Sequence, residues 1–174
     1  ITFGPHISTL ADEVMASCSE LDVAVLNEQE LTIKELILSR KRNVKGTLIR
    51  EENELKNNGL CEPLKDFNKL PFPAHDLLNL SLYKLPYARR YPCTVTMTSR
   101  GCPYSCIFCA SELISKKFLP RSPEHILSEL RFLINTCKVH EVKFWDDTFT
   151  LDKERVFEIC DGIISEKLDL SWNC

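Results

Sequence analysis

The chain has 174 residues, of which 44% are hydrophobic and 27% charged, and this composition is typical of a folded globular protein. A net charge of −3 and the lack of a long basic run argue against binding to nucleic acid or to an anionic membrane surface. No apolar stretch approaches the roughly 20 residues that cross a bilayer, and the amino terminus lacks the plan of a signal peptide. We therefore expect a cytoplasmic protein without a transmembrane segment.

The first 50 residues alternate between patterns typical of strands and of helices. The predicted order is strand, helix, strand, helix and strand, at 1–3, 9–18, 21–26, 30–42 and 46–50. Because alternation of this kind builds parallel sheets, we interpret this first domain as α/β with a parallel sheet.

The stretch 51–92 has a different character, since it contains five of the nine prolines and a polar turn at 56–59. We interpret it as a linker, with one short helix at 75–80. The chain has no polar tail at either end, which predicts that it is a part of a longer protein.

From residue 93 to 174 the alternation resumes and predicts the start of a parallel βα barrel. Strands are predicted at 94–98, 141–145 and 170–172, and helices at 123–137 and 152–165. Ser122 and Thr150 are the predicted amino-terminal caps of these helices. The predicted inward-facing residues are Ile126, Leu130, Leu133, Ile134 and Cys137 on the first helix and Val156, Phe157, Cys160, Ile163 and Ile164 on the second. A complete barrel takes about 250 residues, so we expect only its first strands here and most of the substrate pocket elsewhere.

Three cysteines at CxxxCxxC spacing, Cys102, Cys106 and Cys109, follow the strand predicted at 94–98. Iron–sulfur clusters are ordinarily held by four cysteine thiolates, so three would leave one iron open to a substrate. Loops at the carboxyl ends of barrel strands form the catalytic face. A structural zinc site or a plain electron-transfer cluster is the alternative, although no second CxxC or HxxxH pair follows to close a zinc site. Cys93 could supply a fourth ligand, but it begins the preceding strand, where a core position is expected.

The cysteine pattern, with Phe108 before the last cysteine, resembles the CxxxCxΦC signature of the radical S-adenosylmethionine (SAM) superfamily, where Φ is aromatic. The resemblance implies a [4Fe–4S] cluster held by Cys102, Cys106 and Cys109, with SAM bound to the fourth iron. It implies reductive cleavage of SAM to a 5′-deoxyadenosyl radical, which abstracts hydrogen from an unreactive carbon of a small-molecule substrate. A flavodoxin or ferredoxin-type protein would supply the electron.

A second resemblance covers the rest of the chain. The runs FGPH at 3–6, NEQE at 27–30 and LPFPAHDLL at 70–78 are similar to the GGPH, GEGE and linker patterns of radical SAM proteins with a cobalamin (B12)-binding domain. The anaerobic magnesium-protoporphyrin monomethyl ester oxidative cyclases are of this class. The resemblance implies a Rossmann-like domain over 1–50 in which the following residues lie near the nucleotide tail of cobalamin: Gly4, Pro5 and His6.

This sequence departs from the class at three glycines, which are replaced by Phe3, Asn27 and Gln29. Asparagine still adopts a positive φ readily, whereas glutamine does so at a cost. The motif that would bind cobalt from below would precede Ile1, so cobalamin is a possible rather than a required cofactor.

Asp146 and Asp147 follow the strand predicted at 141–145. In the family this strand end contacts the amino group of SAM, so either aspartate is a candidate partner for that ammonium through a charge-assisted hydrogen bond. The alternative is that the pair only ends the strand and favours the positive end of the next helix.

The function indicated is that of a radical SAM enzyme of the cobalamin-binding class, which performs either methyl transfer or oxidative cyclisation. A methylthiotransferase is a rival within the enzymes, although Cys18, Cys61 and Cys93 are poorly placed for its second cluster. The rival from another class is a non-catalytic iron–sulfur or zinc-binding module.

Overall fold

The structure is a computed structural model and describes residues 1–27, 29–52, 54–110 and 115–174. It divides into two compact units. The first unit comprises Ile1–Lys65 and Tyr104–Lys116, and the second comprises Asp66–Pro103 and Lys117–Cys174.

Within its described residues, the first unit contains a three-stranded antiparallel sheet of order β1-β2-β3 and two helices. Their bounds are α1 Pro5–Ser17, β1 Val23–Val25, α2 Gln29–Ser39, β2 Thr47–Glu51 and β3 Glu54–Asn57. Thr2 adds an isolated parallel bridge to Ala24. One face of the sheet packs against α1 through Ile7, Ala11 and Met15.

The prediction of a purely parallel sheet for residues 1–50 is wrong at β2. β2 pairs antiparallel with β1, with Val23 opposite Ile49, and four residues of the predicted linker form β3. The reversal follows from the turn before β2, because Gly46 has a φ of +82°, which is the left-handed region that glycine adopts without strain. Local alternation does not reveal such a turn.

The second unit contains a parallel sheet of order β4-β7-β8, with each connection through a helix. The elements are β4 Cys93–Thr96, β5 Ser99–Arg100, β6 Leu119–Pro120, α3 Pro123–Asn135, β7 Glu141–Phe144, α4 Lys153–Ser165 and β8 Ser171–Asn173. β5 and β6 form a separate antiparallel pair. The predicted parallel βα order is confirmed, with four of the five predicted elements one or two residues shorter in the structure and the last strand shifted by one residue.

The core of the second unit lies between the parallel sheet and the two helices. Ile126, Leu130 and Leu133 on α3 are buried as predicted. On α4 the predicted stripe is partly wrong, because Phe157 and Ile164 are 67% and 72% exposed. Ile163 is buried as predicted, and the other buried residues of α4 precede it at intervals of four: Arg155 and Ile159.

The caps of the two helices differ in how well the sequence predicted them. Ser122 caps α3 as predicted, since its hydroxyl accepts a hydrogen bond from the His125 N–H at 3.3 Å. The prediction of Thr150 for α4 is wrong, because Asp152 is the cap and accepts from the Arg155 N–H at 3.1 Å. Thr150 belongs to a short 3-10 helix, Phe149–Leu151.

The helix predicted at 75–80 is two 3-10 helices, His75–Leu77 and Leu80–Leu82. The break falls at Asn79, whose side chain accepts a hydrogen bond from the Ser81 N–H and so begins a new turn. In the part of the chain that the structure describes, no helix is both long and apolar enough to cross a membrane.

Candidate functional site

The segment that carries the three cysteines starts beyond β4. Gly101, just before Cys102, has a φ of +81°, so a residue with a side chain would be strained there. Cys102 is half-buried and carries a free thiol, while Cys106 and Cys109 are exposed. The Cys109 N–H donates to the Cys106 carbonyl at 2.9 Å.

The described residues contain no group of three His, Cys, Asp or Glu side chains arranged to hold a metal ion. The donor set is nevertheless all sulfur, from Cys102, Cys106 and Cys109, and sulfur is the donor that iron–sulfur clusters take. Phe108 is 89% exposed. The residues present therefore fit an iron–sulfur cluster in their chemistry.

Asp146 ties the end of β7 to the segment after β4. Its Oδ1 accepts from the Thr98 N–H at 2.6 Å, and its Oδ2 accepts from the hydroxyls of Thr98 and Ser99. The side chain is fully buried. Because every donor comes from the protein, the Asp146 carboxylate has its hydrogen-bonding capacity largely filled.

Arg155 supplies a positive charge beside Asp146, with Nη2 3.9 Å from Oδ2. Its Nη1 donates to the Thr98 carbonyl at 3.1 Å and to the Thr98 hydroxyl at 2.9 Å. Burial lowers the pKa of Arg155 from its ordinary value, and the charges of Asp146 and Asp152 oppose that shift. Arg155 was not among the predicted site residues, since an arginine on a helix face is normally exposed to solvent.

Asp147 has different surroundings from its neighbour. It is exposed, and its Oδ2 accepts from the Gly101 N–H at 3.0 Å. Of the two candidate partners for the SAM ammonium, Asp147 is the one whose carboxylate is open to solvent.

Thr148 is the third consecutive residue after β7 that contacts residues 98–102. Its hydroxyl donates to Cys102 Sγ at 3.3 Å. The next residue, Phe149, stacks on Phe144 at a ring-centroid distance of 5.3 Å and so anchors this segment to the core. Thr148 and Thr98 were not predicted as site residues, because their contacts join residues 46 and 48 positions apart.

A second buried polar cluster contacts two threonines of β4, Thr94 and Thr96. Arg121 and Glu129, which are 5% and 1% exposed at their side chains, form an ion pair of 2.5 Å. Glu129 Oε1 also accepts from the Thr96 hydroxyl at 2.8 Å. His75 Nδ1 lies 3.2 Å from the Thr94 hydroxyl, and burial lowers the pKa of His75.

In the first unit, the predicted cobalamin residues lie at the start of α1. Gly4 has a φ of +114° and is the cap residue, Pro5 opens the helix, and His6 is exposed. Ser8 joins this helix end to the end of β1, because its hydroxyl accepts from the Asn27 N–H at 3.0 Å.

Asn27 has a φ of +56°, so it takes the positive φ expected where the class has glycine. Asn27 Oδ1 and Gln29 Oε1 are buried and lack a hydrogen-bond partner among the described residues. Buried acceptors of this kind are costly unless a donor reaches them. This end of the sheet therefore fits a ligand with hydrogen-bond donors, as cobalamin has.

No protein-family profile matches the chain, but curated proteins do. An uncharacterized methyltransferase of Pyrococcus horikoshii is 38% identical over 97% of this chain and 38% of that protein. The anaerobic magnesium-protoporphyrin IX monomethyl ester cyclase of Cereibacter sphaeroides is 23% identical over 95% of this chain and 28% of its own length. The chain thus spans less than two fifths of these relatives.

Two solved structures share the fold. The cobalamin-dependent S-adenosylmethionine radical enzyme OxsB matches with a TM-score of 0.65 and 23% identity over 86% of this chain and 22% of that chain. The radical S-adenosylmethionine methyltransferase TsrM from Kitasatospora setae matches with a TM-score of 0.64 and 14% identity over 95% of this chain and 33% of that chain.

The fold class is therefore the α/β class predicted, with the end of a Rossmann-like domain, a linker and the first strands of a parallel βα barrel. The chain is similar in sequence to a curated methyltransferase and to an anaerobic magnesium-protoporphyrin IX monomethyl ester cyclase, and it is similar in fold to two radical SAM enzymes, so the resemblance stated from its sequence is confirmed. Its relatives are named as enzymes, both methyltransferases and cyclases.

Proposed function

We propose that the protein acts as a radical SAM enzyme of the cobalamin-binding class. The observation that carries the proposal is the placement of Cys102, the first cysteine of the CxxxCxxC pattern. It follows a parallel strand, and the end of the next parallel strand contacts it through Thr148. Ligand sites in α/β folds lie at the carboxyl ends of strands, as this one does.

In this proposal Cys102, Cys106 and Cys109 hold a [4Fe–4S] cluster. When bound, such a cluster supplies the electron that cleaves SAM. Asp147 would accept a hydrogen bond from the SAM ammonium. Its carboxylate is exposed, and among the described residues only the Gly101 N–H donates to it. Asp146 instead holds the segment after β4 in place, because its oxygens already accept from Thr98 and Ser99. Phe108 would border the cluster, since it occupies the aromatic position of the pattern just before Cys109.

Gly4, Pro5 and His6 would border the tail of cobalamin, and Asn27 would accept a hydrogen bond from it. The buried acceptors at the end of β1 support this assignment. With cobalamin bound the enzyme would transfer a methyl group, as the names of its methyltransferase relatives suggest; without it, oxidative cyclisation is the alternative. The substrate is a small molecule, a flavodoxin or ferredoxin-type protein is the reductant, and the location is cytoplasmic.

Anaerobic reconstitution with iron and sulfide tests the proposal. After reduction, electron paramagnetic resonance with and without SAM is compared for the wild type, Cys106→Ala and the control Cys174→Ala, in which an exposed cysteine outside the pattern is lost. We expect a cluster signal that SAM perturbs in the wild type and the control, and no such signal in Cys106→Ala. A zinc-loaded protein, or a cluster indifferent to SAM in the complete protein, would contradict the proposal.

A further inference from the structure

We propose that Thr148 is a positioning residue for the cluster: its hydroxyl donates a hydrogen bond to the Cys102 sulfur and thereby raises the reduction potential of the cluster. The inference rests on the proposed function, because it needs Cys102 to be a cluster ligand. It goes further by assigning a residue that tunes the electron transfer that starts the reaction.

The first support is the direction of the Thr148 hydroxyl. Thr148 precedes the 3-10 helix Phe149–Leu151 and occupies its cap position. A threonine there ordinarily accepts a hydrogen bond from the first turn, but Thr148 makes no side-chain cap bond to that helix. Its hydroxyl is turned to Cys102 Sγ instead, at 3.3 Å.

The second support is that both ends of this hydrogen bond are fixed. Phe149, which follows Thr148, is 7% exposed and packs against Trp172 at a centroid distance of 5.8 Å. On the other side, Gly101, which precedes Cys102, donates its N–H to Asp147 at 3.0 Å. The Thr148 hydroxyl and the Cys102 sulfur are therefore adjacent because the backbones that carry them are held, rather than through a chance rotamer.

The third support is electrostatic. Reduction adds negative charge to a cluster, and hydrogen bonds to its sulfur ligands are among the factors that set its potential. The two carboxylates at this strand end oppose added negative charge, although Arg155 lies 3.9 Å from Asp146 and offsets that one. The hydroxyl of Thr148 opposes the effect of the carboxylates directly at the ligand sulfur. The electron itself comes from the flavodoxin or ferredoxin-type donor.

The test compares variants at Thr148 in the complete protein after anaerobic reconstitution. Thr148→Val keeps the shape of the side chain but removes the O–H donor, whereas Thr148→Ser keeps the donor. Thr150→Val is the matched control, because Thr150 is an exposed threonine two positions away. The readouts are iron content and the midpoint potential, measured by redox titration monitored by electron paramagnetic resonance.

We expect Thr148→Val to assemble the cluster with a midpoint potential shifted to a more negative value. Thr148→Ser and Thr150→Val should stay at the wild-type potential. Thr148→Ala, which removes the hydroxyl without a β-branched replacement, should shift in the same direction as Thr148→Val and serves if the valine variant does not fold.

Two results would overturn the inference while leaving the proposed function intact: an unchanged potential in cluster-loaded variants without the hydroxyl, or an equal shift in Thr148→Ser. The second result would mean that packing rather than the hydrogen bond sets the potential. If the wild type itself assembles no cluster, the proposed function fails and the inference fails with it.

Discussion

Asp146 and Asp147 are neighbours in the sequence with contrasting environments. The side chain of Asp146 is fully buried and lies beside Arg155, whereas Asp147 is exposed and accepts from Gly101. Both aspartates lie beyond β7, which ends at Phe144, so strand alternation alone does not decide which of them faces inward. The sequence predicted the pair, but only the contacts of Thr98 and Ser99 identify which aspartate faces inward.

Replacement of Asp146 by asparagine should destabilise the fold. Loss of one partner leaves the buried Arg155 uncompensated, which costs about 3–5 kcal/mol for a buried ion pair. Asp147→Asn, its matched control, should change the free energy of unfolding by about 0.5 kcal/mol or less but weaken the effect of SAM on the cluster spectrum. Urea unfolding measures the free energy of unfolding of both variants. Equal destabilisation by both variants would contradict the contrast.

His75 predicts a pH dependence of stability. Burial holds its pKa below the ordinary value of 6.5, against the opposing charges of Glu129 and Asp76. The unprotonated ring is thus favoured in the folded state, and its contribution to stability is complete above pH 6.5 and lost as the pH falls through the lowered pKa.

We expect His75→Gln to flatten the loss of stability below about pH 6.5, measured as thermal unfolding between neutral and acidic pH. His125, whose pKa burial and Arg121 lower as well, keeps part of the slope in this variant. His6→Gln is the control at an exposed histidine. A slope that His75→Gln leaves unchanged would refute the assignment.

At the scale of elements, α4 serves both the core and the site. Its first turn carries Arg155 towards Thr98, while Ile159 and Ile163 pack into the core. Its apolar residues alone suggested a different face that includes Phe157 and Ile164. The sequence could not settle this, because a buried arginine paired with an aspartate 9 positions earlier counts as polar in any hydrophobic pattern.

Two isoleucines on α4 test which face is inward. Ile159 is fully buried and Ile164 is 72% exposed. Ile159→Ala should therefore cost about 2–5 kcal/mol of stability, and Ile164→Ala about 0.5 kcal/mol or less. Chemical denaturation compares the two variants. A larger loss of stability in Ile164→Ala than in Ile159→Ala would mean that α4 buries the face predicted from the sequence pattern rather than the face seen in the structure.

Alanine substitutions at two glycines with positive φ, Gly46 and Gly59, test whether the turn before β2 depends on close packing. A Cβ on Gly46 would lie 2.7 Å from Thr32 Oγ1 and 2.9 Å from Cys61 Cβ, while one on Gly59 would contact nothing within 4 Å. Alanine at either position should cost about 1–2 kcal/mol through its φ.

Gly46→Ala should cost about 1–3 kcal/mol more than Gly59→Ala, because it also overpacks the site. Thermal unfolding of the two variants measures the difference. Equal costs would show that the chain relaxes around Gly46 and that the turn does not depend on close packing.

At the scale of the whole molecule, the sequence predicted the order of the elements better than their pairing. The parallel barrel strands follow from repeated strand and helix patterns, which are local. The antiparallel pairing of β2 with β1 and β3 depends on turns around Gly46 and Glu52, whose φ values of +82° and +47° no hydrophobic pattern encodes. The candidate site can be read from the sequence where it rests on motif spacing, as at Cys102, but not where it rests on contacts between distant residues, as at Thr148.

The proposed function also predicts a change in the stability of the whole protein. A ligand that binds only the folded state stabilises it by about 2.7 kcal/mol at a concentration 100 times its Kd. SAM should therefore raise the unfolding temperature of the cluster-loaded complete protein. The rise should shrink in Asp147→Asn. No rise in the loaded wild type at saturating SAM would contradict SAM binding.

The contacts between residues 146–148, which follow β7, and residues 98–102 have a consequence for how the protein is synthesised. They join residues 46 to 48 positions apart, and a ribosome adds about 5–20 residues per second. Cys102 is therefore incorporated into the growing chain roughly 2–10 s before Thr148. During that interval the segment is a nascent chain with an unsupported thiol, so we expect metal delivery to follow translation and to depend on a completed second barrel strand.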